Sequence, residues 1–168
     1  MLILGIDPGT ARLGYGVIET HGKIASSQAP RNDTLRYIAS GCLETKLETP
    51  MHERLLFLQN EIEKIIAKHK PDVLAIESLF FGINAKTAIA VGQARGVVLA
   101  AAARHKVPKV VEYQGLSVKF AVAGFGRAKK KEIQEGVKKI LKMKDIVKPD
   151  DAADGLAIAI THHIKTKR

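Results

Sequence analysis

The sequence predicts an α/β protein, a five-stranded mixed sheet flanked by helices, with residues 1–168 forming one domain. Two observations carry this. Three strand-like segments come first, helix and strand patterns then alternate, and the chain ends in helices; hairpin-linked and crossover-linked strands must therefore share one sheet. The chain is also long enough at 168 residues, 46% of them hydrophobic and 26% charged, to bury one real core. That composition excludes a disordered chain, a collagen-like fibre and a disulfide scaffold. The single cysteine, Cys42, cannot form an intramolecular disulfide and reads as a small core residue.

Residues 2–7 (LILGID) form a short apolar run that stops at Pro8-Gly9, which predicts a buried strand. Residues 13–20 alternate and predict a second strand, hairpinned to the first. The polar stretch 21–36, with Pro30 and Asn32-Asp33, reads as a long turn with some extension of the flanking strands. Residues 37–44 follow as a third strand. Apolar positions Met51, Leu55, Leu58, Ile62, Ile65 and Ile66 have helical spacing, so a helix is expected over 50–70, with Pro near its start and basic residues in its last turn. Residues 73–77 (VLAIE) are a fourth strand. An Ala-rich helix is expected over 85–106, reading as buried along 88–103, although Gln93 and Arg95 interrupt the run before it reaches membrane-spanning length. Within it Gly92 and Gly96 leave a smooth place for a close neighbour, either the protein's own sheet or a second subunit's helix. Residues 110–113 are the fifth strand. Helices over 115–123 and 129–143 flank Gly124-Phe125-Gly126, and a last helix covers about 150–165. His162-His163, close to its C-terminal end and without cysteine partners, reads as a surface pair favoured by the helix dipole rather than as a zinc site.

The first residues lack the basic and long apolar regions of a signal peptide, so a cytoplasmic protein is expected, with no membrane partner. The net charge of +10 is uneven: residues 1–100 hold 11 basic and 10 acidic side chains, residues 101–168 hold 16 and 7. A polyanion, nucleic acid or an anionic membrane surface, would answer that asymmetry. A lysine-rich solvated surface accounts for it equally well on charge alone.

The carboxylates say more. Asp7 and Glu77 each end a strongly apolar strand, where an unpaired charge is expensive. If the strands are neighbours, both carboxylates leave the sheet at one end and a divalent cation would offset their repulsion; a simple turn aspartate before Pro-Gly is the alternative for Asp7 alone. Asp150, Asp151 and Asp154 open the last helix. Favourable placement at a helix N-terminus explains Asp150 or Asp151 but not Asp154 as well. Asp151 and Asp154 are i, i+3 neighbours flanking the face set by Ala153, Leu156, Ala157, Ile160 and Ile164. Asp150 and Asp154 are i, i+4 neighbours, so spacing leaves both pairs open. Carboxylates without catalytic Cys or zinc spacing suit hard ions such as Mg²⁺. A pair of such ions clamps the attacking and leaving oxygens of a phosphoryl displacement.

Four blocks of sequence stand out: Gly5-Ile6-Asp7-Pro8-Gly9-Thr10 with Gly14-Tyr15-Gly16-Val17, then Ala75-Ile76-Glu77 with Phe80-Phe81 and Asn84-Ala85, then Gly92-Gln93-Ala94-Arg95-Gly96-Val97, and finally 151–162. In these blocks the chain resembles the RuvC family of Holliday junction resolvases. The blocks fall in the family's order across nearly the whole chain. The resemblance implies a ribonuclease-H-like fold, a homodimer acting beside the RuvAB branch-migration complex, and a Mg²⁺-dependent endonuclease, with Mn²⁺ a possible substitute, cutting four-way junctions in recombination and repair. Its register makes Asp7, Glu77, Asp151 and Asp154 the catalytic, metal-holding carboxylates and so selects Asp151 over Asp150. It also places Phe80 at a base-contacting position and Lys119 and Lys130 near the scissile phosphate. Phe81 is a second candidate ring, although one of the two phenylalanines is expected to cap the core. Arg127, Lys129, Lys130 and Lys131, just after the glycine break, read as further phosphate contacts. The stretch 25–36 is longer than the family leads one to expect. Competing readings are another ribonuclease-H-like nuclease, such as one acting on RNA–DNA hybrids, and a non-catalytic junction binder, against which the retention of four carboxylates argues. A kinase-like ATPase shares the Asp7-Pro8-Gly9-Thr10 pattern but needs two lobes.

Overall fold

The computed structural model describes residues 1–21, 34–78 and 85–167. In chain order the elements are β1 (Leu2–Asp7), β2 (Arg12–His21), β3 (Thr34–Glu44), α1 (Met51–His69), β4 (Val73–Glu77), α2 (Ala85–Arg104), β5 (Lys109–Tyr113), α3 (Gly115–Ala123), α4 (Lys130–Ile140) and α5 (Asp150–Thr166). The strands form one sheet in the order β3-β2-β1-β4-β5. The hairpin-linked β1–β2 and β2–β3 pairs are antiparallel, and the β1–β4 and β4–β5 pairs, each joined through a helix, are parallel. The mixed sheet is therefore the expected one. β2 and β3 extend into the polar stretch that the sequence reads as a turn, and residues 22–33 of that stretch lie outside the described residues.

Strand alternation sorts the core into two layers. Leu4, Ile6, Leu74 and Ile76 face α1 and α2, where they meet Leu58, Ile62, Ala94 and Val98. Ile3, Val73 and Ala75 face the other way, against α3, α4 and above all α5. α5 lies over β1 and β2 so closely that side chains would not fit between them. A Cβ on Gly5 would sit 2.6 Å from the Ala159 amide nitrogen, and one on Gly16 would sit 2.6 Å from the Leu156 Cα. Glycine inside these strands thus serves a backbone-to-backbone approach.

Two expectations about helices need correction. His162 and His163 are not surface residues: they are 2% and 6% exposed. α5 is covered by the sheet on one side and by α3 and α4 on the other, so it stays buried as far as His163, and only its last residues emerge; His162 Nδ1 hydrogen-bonds the Tyr113 hydroxyl at 2.7 Å. α2, by contrast, is not buried along its length. Ala94, Val98, Ala101 and Ala102 are, while Ile89 is 65% exposed and a Cβ on Gly96 would meet nothing within 4 Å. At Gly96 the close neighbour is therefore not the protein's own sheet. Among the described residues no helix is long and apolar enough to cross a membrane.

Candidate active site

β1 and β4 run parallel in a register that pairs Ile6 with Ile76, so Asp7 and Glu77 leave the sheet together at one end. By strand alternation each follows Gly5 and Ala75 on the face covered by α5. α5 begins at that same end, and its first turns bring Asp151 and Asp154 over the strand ends. One carboxylate oxygen from each of Asp7, Asp151 and Asp154 lies within 4.8 Å of the others. Glu77 is hydrogen-bonded to Asp7, and a Cβ on Gly115 would collide with its Oε1, so the start of α3 leaves just enough room for it. Asp7, Glu77 and Asp154 line one cavity of about 450 Å³. Asp150 stands outside the group of three and accepts a hydrogen bond from Lys130 Nζ at 2.6 Å. Pro149 occupies the helix cap and no side chain caps it, so capping does not account for the aspartates.

The electrostatics show a site holding more negative charge than its own cations offset. Burial above all, then the neighbouring Glu77 and Asp151, pushes the Asp7 carboxyl up to about 8. Burial and the charge of Asp7 push Asp154 up to about 7. Lys130 works against both shifts, standing 3.8 Å from Asp151 and 4.0 Å from Asp154. Its hydrogen bond holds Asp150 below the usual carboxylate range. An oxygen-only donor set with repulsion still uncompensated is what a hard divalent cation neutralises, so these residues fit a metal.

The cationic rim is largely where the sequence places it. Lys119, Arg127, Lys129 and Lys130 line the same cavity as the carboxylates. Lys131 does not; it lines a separate groove between α3 and α4 with Val122 and Gly136. Phe80 and Phe81 lie outside the described residues.

Three side chains at the site carry no strong signal in the sequence. Arg12 Nη2 pairs with Asp151 at 2.9 Å and with Glu44 at 3.3 Å, because the β1–β2 hairpin returns it to the carboxylate end of the sheet. Cys42, expected in the core, is half-buried instead, with Sγ 4.0 Å from Asp151 Oδ2, since β3 ends beside the first turn of α5. Arg95, on α2, reaches across the opposite face of the sheet: Nη1 donates to the Glu77 carbonyl oxygen at 2.7 Å and Nη2 to Glu112 Oε1 at 2.6 Å. Its side chain is only 11% exposed, so it clamps the end of β4 to β5 from inside the protein. The Gly92-Gln93-Ala94-Arg95-Gly96 block contains the hint, a guanidinium in an otherwise apolar helix. Arg95→Ala is expected to cost about 2–3 kcal/mol in urea unfolding, as a charged donor is lost and the Glu77 carbonyl left without it. Arg95→Lys, able to satisfy one acceptor, should recover part of that.

A mixed sheet in this order, with carboxylates at the ends of two adjacent parallel strands and on the helix packed over them, defines an α/β protein of ribonuclease-H-like fold with an acidic site able to hold metal. The family described as crossover junction endodeoxyribonuclease RuvC matches residues 3–162. The chain belongs to the RuvC family. It is 53% identical over 162 residues to the crossover junction endodeoxyribonuclease RuvC of Desulfitobacterium hafniense, covering 96% of this chain and 92% of that one. It is 49% identical to the protein of the same name from Chloroflexus aurantiacus, with the same two coverages. Among solved structures, Thermus thermophilus RuvC superposes with a TM-score of 0.85 at 34% identity, covering 99% of this chain and 96% of that one. The structure of that RuvC in complex with Holliday junction substrate gives 0.84 at 31% identity, with the same coverages.

Proposed function

We propose that this chain resolves four-way DNA junctions by paired symmetrical nicks, with Asp7, Glu77, Asp151 and Asp154 as its catalytic carboxylates and two Mg²⁺ ions as its cofactors. Family membership makes it a nuclease that hydrolyses phosphodiester bonds in DNA. One observation carries the residue assignment: a strand end and a helix start, distant in sequence, bring Asp7, Asp151 and Asp154 within 4.8 Å of one another, and Asp7, Asp154 and the second strand end, Glu77, line a cavity rimmed by lysine and arginine.

When bound, divalent ions supply the Lewis acidity that activates a water and stabilises the departing oxygen, a role Mn²⁺ shares. The chain's own residues do the rest. Asp7, Glu77, Asp151 and Asp154 would hold the ions. Burial and the neighbouring Glu77 favour the protonated form of the Asp7 carboxyl in the free protein. Lys119, Arg127 and Lys129 meet phosphate oxygens and set the register of the strand without reading its sequence. Lys130 spans the two functions, paired to Asp150 and close to Asp151 and Asp154. Lys131, on the neighbouring groove, extends the phosphate track outward. One of Phe80 and Phe81 stacks on an unpaired base at the junction.

Two copies related by a two-fold axis would present two such sites to opposed strands. The exposed Ile89 and the open Gly96 on α2 provide a face for that contact. The reading includes a single domain over 1–168, a cytoplasmic location and cooperation with the RuvAB branch-migration complex. The test is cleavage of a mobile four-way junction, a linear duplex and an RNA–DNA hybrid of matched sequence. The expected result is Mg²⁺-dependent, symmetrical nicks in the junction alone, with 5′-phosphates that ligase reseals. Preferential cutting of the hybrid, or equal cutting of the duplex, would replace this reading with a different nuclease.

A further inference from the structure

Leu116 and Phe120 on α3 are large, apolar and strongly exposed, at 60% and 57%. They are i, i+4 neighbours, and both lie about 160° around the helix from the buried Val118, so neither belongs to the core. They form one surface. A Cβ on Gly126 would lie 2.7 Å from Leu116 Cδ1 and 3.0 Å from Phe120 Cε2, so both side chains lean over the same point of the loop after α3. The patch does not line the catalytic cavity, but it stands next in sequence to two cations that do: Lys119 precedes Phe120 and Arg127 follows Gly126.

We propose that Leu116 and Phe120 form an apolar patch beside the cationic rim of the cavity that takes up the face of a nucleobase or deoxyribose of a DNA strand passing over Lys119 and Arg127. The proposal rests on reading the cavity as a DNA site and adds a contact to it. Phosphates need only the cations. Rings and aliphatic side chains beside a cationic track match a strand whose bases or sugars are turned towards the protein, and stacking of that kind tolerates any sequence. Charge favours the same occupant. A second copy docked here would bring its own Lys119, Arg127 and Lys129 against these, whereas DNA supplies the opposite charge.

The experiment measures dissociation constants, without divalent metal, for a four-way junction and a single-stranded oligonucleotide over a range of salt. Phe120→Ser is expected to weaken binding about tenfold, with the salt slope unchanged because no ion pair is lost. Phe120→Trp should restore wild-type affinity. Lys119→Ala should instead lower the slope by about one. Since Phe120 is exposed, Phe120→Ser should keep the wild-type melting temperature, and Leu116→Ser provides a second variant. A 2-aminopurine beside the scissile phosphate should be quenched by the wild type and not by Phe120→Ser. Wild-type affinity in both serine variants would overturn the proposal, as would a change in their sedimentation, which would give the patch to a second copy. If the wild type binds DNA without cutting junctions while Phe120→Ser still binds tenfold more weakly, the resolvase reading fails and the apolar patch stands.

Discussion

Asp7→Asn is expected to abolish Mg²⁺-dependent junction cutting and, in the absence of metal, to make the protein more stable at a pH near 8, where the Asp7 carboxyl titrates. The first effect follows from the place of Asp7 within 4.8 Å of Asp151 and Asp154. An amide removes a charged ligand, and losing about 4 kcal/mol of transition-state stabilisation corresponds to roughly a thousandfold in rate. The second follows from linkage. The folded protein holds the Asp7 proton up to about 8, whereas the unfolded chain releases it near its ordinary 3.8. Between those values the folded state binds more protons, so the stability of the metal-free wild type falls as pH rises. Asp154, held up to about 7, adds to the same slope. Asn carries no charge to desolvate, so Asp7→Asn should flatten the profile and raise the metal-free melting temperature near pH 8 by about 4–8 °C, for a gain of about 2 kcal/mol. Calorimetry from pH 5 to 8 with EDTA, repeated with Mg²⁺, checks both signs. Added Mg²⁺ should raise the wild-type transition more than that of Asp7→Asn. If Asp7→Asn cut normally, the carboxylate assignment would be wrong.

Gly5→Ala should unseat α5. The added methyl would lie 2.6 Å from the Ala159 amide nitrogen and closer still to the Gly155 carbonyl oxygen, both backbone atoms in a continuous helix. No rotamer change relieves a clash with backbone, so helix and sheet must separate. That contact anchors the larger core layer, where Leu156, Ala157, Ile158, Ala159 and Ile160 are all essentially buried. The expected cost is about 3–5 kcal/mol, read as a lower urea midpoint, above the range of an ordinary substitution. The functional consequence is larger than the stability loss implies, because α5 also delivers Asp151 and Asp154 to Asp7. Residual folded Gly5→Ala protein should cut junctions poorly even where circular dichroism is native-like. Ala67→Ser on the exposed side of α1 serves as the neutral comparison.

Much of this was legible in the chain itself. Asp7 and Glu77 stand out because a carboxylate ending an apolar strand has few structural reasons to be there, and neighbouring strands that both end this way put both carboxylates at one end of the sheet. Other features were not legible. His162 and His163 resemble any pair near a helix end, yet both are buried, His162 against Tyr113 of β5. Arg12 is an ordinary hairpin residue until β2 brings it back beside Asp151. Arg95 reads as an interruption of an apolar helix, and only the crossing of α2 beneath β4 and β5 makes it a clamp on Glu77.

By itself the sequence determined the mixed sheet, the strand-end carboxylates and the cationic stretch from Lys119 to Lys131, since periodicity and charge are local properties of a chain. Spacing left Asp150 and Asp151 as equal candidates, and the family register was needed to separate them. Tertiary structure decided how the two are placed: the angle at which α5 meets the sheet puts Asp151 beside Asp7 and pairs Asp150 with Lys130. That angle is fixed by glycines on both sides of the contact, in elements about 150 residues apart, and a helical wheel drawn for one of them has no knowledge of the other.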